Sequence, residues 1–165
     1  MASLHARKFV SADPEKCVGC CICEYACSYE KEKSFNPVKS RIRVVRLDSL
    51  IDMSITCRLC ENAPCVAACP RDALTQSEEN GVIIVDEDKC NGCGWCIEAC
   101  DYGAIMLHPD KKVVFVCDLC DGNPKCVEWC PEEALDFVTA DVLAQKARIS
   151  AVKKLFQEAL RRETP

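Results

Sequence analysis

Seventeen cysteines stand in a chain of 165 residues, and sixteen of them fall into four quartets of nearly one design. No other feature limits the fold so strongly, because so many thiols must be organised by disulfides or by metal before an apolar core can matter. Cys17, Cys20, Cys23 and Cys27 read C-x2-C-x2-C-x3-C, and Cys90, Cys93, Cys96 and Cys100 repeat that spacing unchanged. Cys57, Cys60, Cys65 and Cys69 widen the middle gap to four residues and precede Pro70, while Cys117, Cys120, Cys126 and Cys130 widen it to five and precede Pro131. The flanks repeat too: Asp13 to Cys17 parallels Asp86 to Cys90, and Arg58-Leu59 between the first two cysteines of the second motif parallels Asp118-Leu119 in the fourth. A short-then-stretched motif pair reads as duplicated.

Compartment and spacing separate disulfides from metal. Met1 to Asp13 carries His5, Arg7 and Lys8 but no apolar run of signal-peptide length, and no later segment approaches eighteen apolar residues. These features predict a cytoplasmic chain with reduced thiols and no direct membrane insertion, and the odd cysteine total argues against a complete disulfide framework. Twenty-six acids against twenty-one bases, a formal charge of -5, exclude nucleic acid as a general partner. Sixteen thiolates and four oxidised cluster cores of about +2 each would bring the loaded protein near -13, a charge suited to docking on basic surfaces.

A 4Fe-4S cube needs four thiolates around a small anionic object. C-x2-C-x2-C lets one tight turn present three sulfurs to one cube while nearby backbone N–H groups point at its sulfides. The fourth cysteine, three residues on, is expected to start a helical turn and to complete the cube of another motif, with Pro70 and Pro131 placed where a missing N–H is harmless. Zinc ordinarily takes two C-x2-C knuckles separated by a longer loop, and four thiolates within eleven residues do not match that pattern. The expected cofactors are four 4Fe-4S clusters on the sixteen cysteines. Cys21 is the spare, because using it would break the spacing that the first motif shares with the third; it is expected to be a small half-buried thiol. Val18, Ile22, Val66, Ile97 and Val127, with Tyr25, Trp95 and Trp129, lie between ligands and are expected to pack around the cubes and exclude water. His5 and His108 are expected to be solvated, with no role as ligands.

The segments between motifs predict an α+β chain. Gly81 to Asp86 reads as a strand entered from a turn, and Ala104 to His108 with Lys112 to Val116 reads as a hairpin around Pro109-Asp110. Arg41 to Leu47 reads as a strand inside residues 28–56, an insertion beyond the minimal unit. The organisation expected is a four-cluster domain over residues 1–138 and an amphipathic helix within residues 139–165. Thr139 is its candidate N-cap, and Val142, Ile149, Val152, Phe156 and Ala159 share one face of it. Holding no cysteine, this helix cannot carry a cluster; packing on its own domain and docking on a partner stood as equal expectations, with docking preferred.

These motifs resemble the four-cluster ferredoxin-like subunits of multi-subunit redox enzymes over about residues 8–138. The stretch Asp13 to Cys20, with Phe35 to Pro37 and Ser40 to Val44, is most similar to the small subunit accompanying tungsten-containing aldehyde oxidoreductases. The resemblance implies a duplicated bacterial-ferredoxin-like fold and nested pairing of motifs, first with fourth and second with third. It would place one cube on Cys17, Cys20, Cys23 and Cys130, and the next on Cys27, Cys117, Cys120 and Cys126. The inner pair would take Cys57, Cys60, Cys65 and Cys100, and Cys69, Cys90, Cys93 and Cys96. Spacing also permits pairing in chain order, and the usual proline is absent after the first and third quartets, where Ser28 and Asp101 stand. The implied role is non-catalytic relay of electrons between a large tungsten- or molybdenum-pterin subunit, aldehyde-oxidising by the same resemblance, and another acceptor or subunit, with a flavin subunit or further copies of the chain as other partners. The alternatives are a freely diffusing polyferredoxin, the equivalent subunit of a hydrogenase, formate dehydrogenase or carbon monoxide dehydrogenase, and an enzyme with an open iron site, which four complete quartets oppose.

Overall fold

Short elements alternate along the chain, because tight cysteine turns interrupt it every few residues. The computed structural model describes residues 7–48 and 51–163, with side chains up to residue 157; His5 and the side chain of Ala159 lie outside this set. Eight strands form four separate antiparallel pairs. Strand β1 (Lys8–Ala12) pairs with β8 (Leu135–Thr139), and β2 (Arg43–Leu47) with β3 (Ile51–Ile55). Strand β4 (Leu74–Gln76) pairs with β5 (Ile83–Val85), and β6 (Met106–Leu107) with β7 (Val114–Phe115). Helices α2 (Pro64–Ala67), α3 (Trp95–Glu98) and α4 (Lys125–Glu128) are single turns, whereas α1 (Ile22–Glu32) and α5 (Ala140–Glu163) are longer.

The pairings decide which motifs meet. β1 enters the first motif and β8 leaves the fourth, so their ladder brings those two motifs together. β4 leaves the second motif and β5 enters the third, so the inner hairpin joins those two. Between them lies one core built from thiols as much as from hydrocarbon: Cys23, Cys27, Cys57, Cys65, Cys96, Cys117 and Cys126 are buried with Val10, Ile42, Leu59, Ile83 and Val114.

Several expectations need correction. The helical turn holds the third cysteine and does not start at the fourth: α2 and α4 contain Cys65 and Cys126 and end before Cys69 and Cys130, and Pro70 and Pro131 sit in turns. The insertion contributes a hairpin rather than one strand, and α1 runs on through Cys27 and Ser28 to Glu32. His108 is buried, at 7% exposure. Its Nδ1 accepts the N–H groups of Asp110 and Lys111 at 3.1 and 3.2 Å, so the imidazole closes the turn of the β6–β7 hairpin against Phe115. Trp95 and Trp129 are 62% and 44% exposed, and Val18, Ile22 and Tyr25 are exposed as well. Of these only Val18 lines a thiol cavity, and the shielding falls to the partly buried Val66, Ile97 and Val127.

Helix α5 starts where Thr139 Oγ1 accepts the N–H of Val142 at 3.5 Å. Leu143, Ala147 and Ser150 face Ser11 to Glu15 across a groove, Lys146 bonds Asp136 at 2.6 Å, and Lys154 pairs with Glu15. Val142, Ile149, Val152, Leu155 and Phe156 remain exposed. The helix therefore touches its own domain through a small-residue and charged face. Truncation after Ala140 is expected to leave iron content unchanged by metal analysis, and loss of iron on truncation would show that this face supports the cluster sites.

Candidate iron-sulfur sites

Each motif uses one repeated backbone device. The residue before the second cysteine takes a positive φ in all four: Gly19 (66°), Leu59 (51°), Gly92 (70°) and Leu119 (61°). That left-handed residue turns the chain sharply enough for C-x2-C to curl around an object. At Gly19 a Cβ would lie 2.6 Å from the Asp52 carboxylate carbon, so the β2–β3 hairpin closes down on this turn. Leucine at the equivalent positions of the stretched motifs stores strain instead, and both leucines are held by burial.

A second device follows the fourth cysteine. Cys69, Cys100 and Cys130 accept the N–H of the alanine four residues on, Ala73, Ala104 and Ala134, at 3.3, 3.4 and 3.3 Å. The residue before each alanine, Asp72, Gly103 or Glu133, has a positive φ, and each alanine is buried. The C-x3-A recurrence was present in the sequence but went unread. Cys27 is the exception. Lying inside α1, it accepts instead the N–H of Arg41, fourteen residues away, at 3.2 Å.

Cavities show which thiols assemble. One is lined by Cys17, Cys20, Cys23 and Cys130, with Cys21 beside them. Another holds Cys57, Cys60, Cys65 and Cys100, and a third Cys69, Cys90, Cys93 and Cys96. The remaining thiols, Cys27, Cys117 and Cys120, all act on Cys126, whose thiol is driven up by burial and pushed further by their charges. The groups thus draw their members from motifs one and four, and from motifs two and three. Successive groups also act on one another electrostatically. Cys23 of the first group acts on Cys126, Cys117 on Cys57, and Cys65 on Cys96. Cys20 and Cys93, in the two end groups, are the exposed thiols among the seventeen.

Burial pushes the thiols of Cys23 and Cys117 up to about 11 and that of Cys57 up to about 12. Cys69 is also desolvated, yet the N–H groups of Arg71, Ala73 and Leu74 bring its thiol below the ordinary value. Metal must displace protons from most of these groups, so cluster loading and proton release are coupled. No three His, Cys, Asp or Glu side chains among the described residues converge on a single-ion site. The quartets surround cavities, and all-thiol donors with backbone N–H groups aimed at their sulfurs fit a 4Fe-4S group.

Cys21 occupies the N-cap of α1 with φ 62°, the position that Gly94 holds before α3 in the third motif. Its thiol donates to the Gly19 carbonyl at 3.4 Å, and burial raises it. Cys21→Ser is expected to retain all iron, and Cys21→Gly to retain it with about 1 kcal/mol of strain relieved. Iron analysis and thermal unfolding check this; a loss of iron matching that of Cys20→Ser would make Cys21 a ligand.

Short cysteine turns around thiol-lined cavities define an iron-sulfur protein, and the chain belongs to the 4Fe-4S dicluster domain family, whose model matches residues 49–140. It binds multiple 4Fe-4S clusters. It is 44% identical over 138 residues to the polyferredoxin-like subunit of aliphatic sulfonate oxidoreductase from Pyrococcus furiosus, covering 82% of this chain and 80% of that one. It is 34% identical to the thiosulfate reductase electron transfer subunit PhsB of Salmonella typhi, covering 78% and 74%. The electron transport protein HydN of Escherichia coli is 32% identical, covering 89% and 95%. Among the described residues no helix is long and apolar enough to cross a membrane.

Proposed function

We propose that this chain is the electron-transfer subunit of an oxidoreductase complex, a duplicated ferredoxin-like wire of four 4Fe-4S clusters. The ligand sets are Cys17, Cys20, Cys23 and Cys130 (site A), Cys27, Cys117, Cys120 and Cys126 (site B), Cys57, Cys60, Cys65 and Cys100 (site C), and Cys69, Cys90, Cys93 and Cys96 (site D). The observation that carries the reading is the row of four thiol groups with an exposed cysteine at each end. A row open at both ends takes electrons at one surface and delivers them at another.

When bound, each cluster supplies reversible one-electron storage, and the protein contributes spacing, orientation and tuning. Valines and isoleucines between the ligands limit water, the left-handed turns fix the sulfur positions, and backbone N–H groups soften the thiolate charge. Bond chemistry belongs to the partner. The relatives named as subunits of sulfonate and thiosulfate enzymes support a large catalytic partner, and the resemblance at Asp13 to Cys20 supports a tungsten- or molybdenum-dependent one. Anaerobic native purification with identification of accompanying chains and metals tests this. A stable complex with a pterin-metal subunit is the expected result; a chain isolated without any partner would make it a diffusing polyferredoxin.

A further inference from the structure

Helix α5 divides its charges between two faces. Residues 140–165 carry six bases and three acids, against fifteen bases and twenty-three acids before them, so a cationic helix stands on an anionic domain. Two of its cations are engaged with that domain. Lys146 bonds Asp136 at 2.6 Å, and Lys154 pairs with Glu15, two residues before Cys17, so the inner face is held beside the entry to site A.

The outer face is apolar and open. Val142, Ile149, Val152, Leu155 and Phe156 are between 45% and 66% exposed, and their three-, four- and seven-residue spacings set them in one stripe along about four turns. Arg148 and Lys153 border it. Arg148 is one turn from Val152, and Lys153 is one turn from both Ile149 and Phe156. Both are exposed, and among the described residues neither makes an ion pair; Arg148 Nη1 donates to the neutral Gln145 Oε1 at 3.3 Å.

These two free cations decide what can cover the stripe. A second copy brings its own Arg148 and Lys153, and pairing one seam with itself sets cations along cations, which disfavours self-association. An anionic lipid surface would attract the helix and repel the domain, whose excess of negative charge grows once thiolate-held clusters are added. A protein surface with an apolar floor and carboxylates at its edges meets both features, because the hydrocarbon leaves water while Arg148 and Lys153 gain partners.

We propose that the outer face of α5 is a docking site for the redox partner of the wire, and that the partner receives it in an apolar groove rimmed by Asp or Glu. The proposal rests on the relay reading above and adds the surface and its chemistry. Because the inner ion pairs fix the helix beside β1 and the first motif, a partner seated on the outer face is held at the site A end of the row.

The test takes the large subunit that co-purifies anaerobically with the full-length chain, identified by mass spectrometry and metal analysis, and titrates it onto loaded chain variants. Ile149→Glu and Phe156→Glu are each expected to weaken binding about tenfold with iron content unchanged. Phe156→Ser carries the same test where a glutamate variant does not load. Arg148→Glu combined with Lys153→Glu is expected to weaken binding and to flatten its dependence on salt, whereas Arg148→Lys, which keeps the charge, should bind as the wild type does. Carbodiimide, which joins an amine to a carboxylate in contact with it, is expected to link Lys153 to an Asp or Glu of that subunit. Unchanged affinity in the fully loaded glutamate variants would overturn the docking site and leave the relay standing. A chain isolated with its clusters but without any redox subunit would remove the relay complex, and the docking site with it. Self-association in ultracentrifugation that Phe156→Glu abolishes would overturn the proposal by assigning the stripe to a second copy. Salt-sensitive binding to vesicles of phosphatidylglycerol and phosphatidylcholine, lost in the same variant, would overturn it by assigning the stripe to a membrane surface.

Discussion

Anaerobically isolated protein is expected to hold about sixteen iron and sixteen sulfide per chain, and their removal is expected to unfold residues 14–138. The size of that effect follows from how little the chain can hold by itself. Its strands are two to five residues long and form four separate pairs, and three of its five helices are single turns. An isolated two-stranded hairpin is marginal in water, and a four-residue helix has barely passed nucleation. Seven of the buried core residues are cysteines whose neighbours across each cavity are other sulfurs. In the proposed ligand sets, clusters would fill those cavities and cross-link segments more than a hundred positions apart, so that binding energy would be folding energy. Far-ultraviolet circular dichroism and hydrogen exchange after oxidative cluster removal provide the check. A cooperative melt of the apo-protein with native-like spectra, or a reproducible content near eight iron, would contradict the expectation.

Cys130→Ser is expected to destroy or convert the cluster on Cys17, Cys20 and Cys23 while sparing the one on Cys117, Cys120 and Cys126, which are its own motif's members. About a quarter of the iron is then lost, and one of four reduction steps disappears. The motivation is spatial: Cys130 lines the cavity of the first motif, and the β1–β8 ladder, in register from Lys8 against Thr139 to Ala12 against Leu135, holds the two there. The Ala134 N–H on Cys130 would be left facing a weaker ligand. Iron analysis with cluster-resolved spectroscopy reads the result. Damage confined to the Cys117 site, with the Cys17 signals intact, would mean that Cys130 completes the cube of its own motif, and damage confined to the Cys90 site would mean that motifs pair in chain order.

Much of the chemistry was legible before any coordinates. Spacing alone named the sixteen cysteines, set Cys21 aside and proposed an α+β chain with strands near residues 41–47 and 81–86, because cysteine turns and β-branched runs are local signals. The long C-terminal helix was legible for the same reason, having no glycine or proline between Ala140 and Arg162. Surface position was not. Trp95 and Trp129 looked like packing residues and are exposed, while His108 looked solvated and closes a hairpin, since whether a side chain is covered depends on segments distant in sequence.

What the sequence by itself determined is the cofactor: four thiols at two- and three-residue spacing can curl around a cube and little else. The tertiary structure alone decided which thiols share a cavity. Motif pairing is a non-local matter, set by a ladder between the first and last strands that no short-range pattern announces, and the spacings permitted either answer. It also decided what each thiol feels. Ser54 carries no motif, and only the pairing of β3 with β2 brings its buried hydroxyl to 3.5 Å from Cys23, where it acts strongly because water does not compete for it.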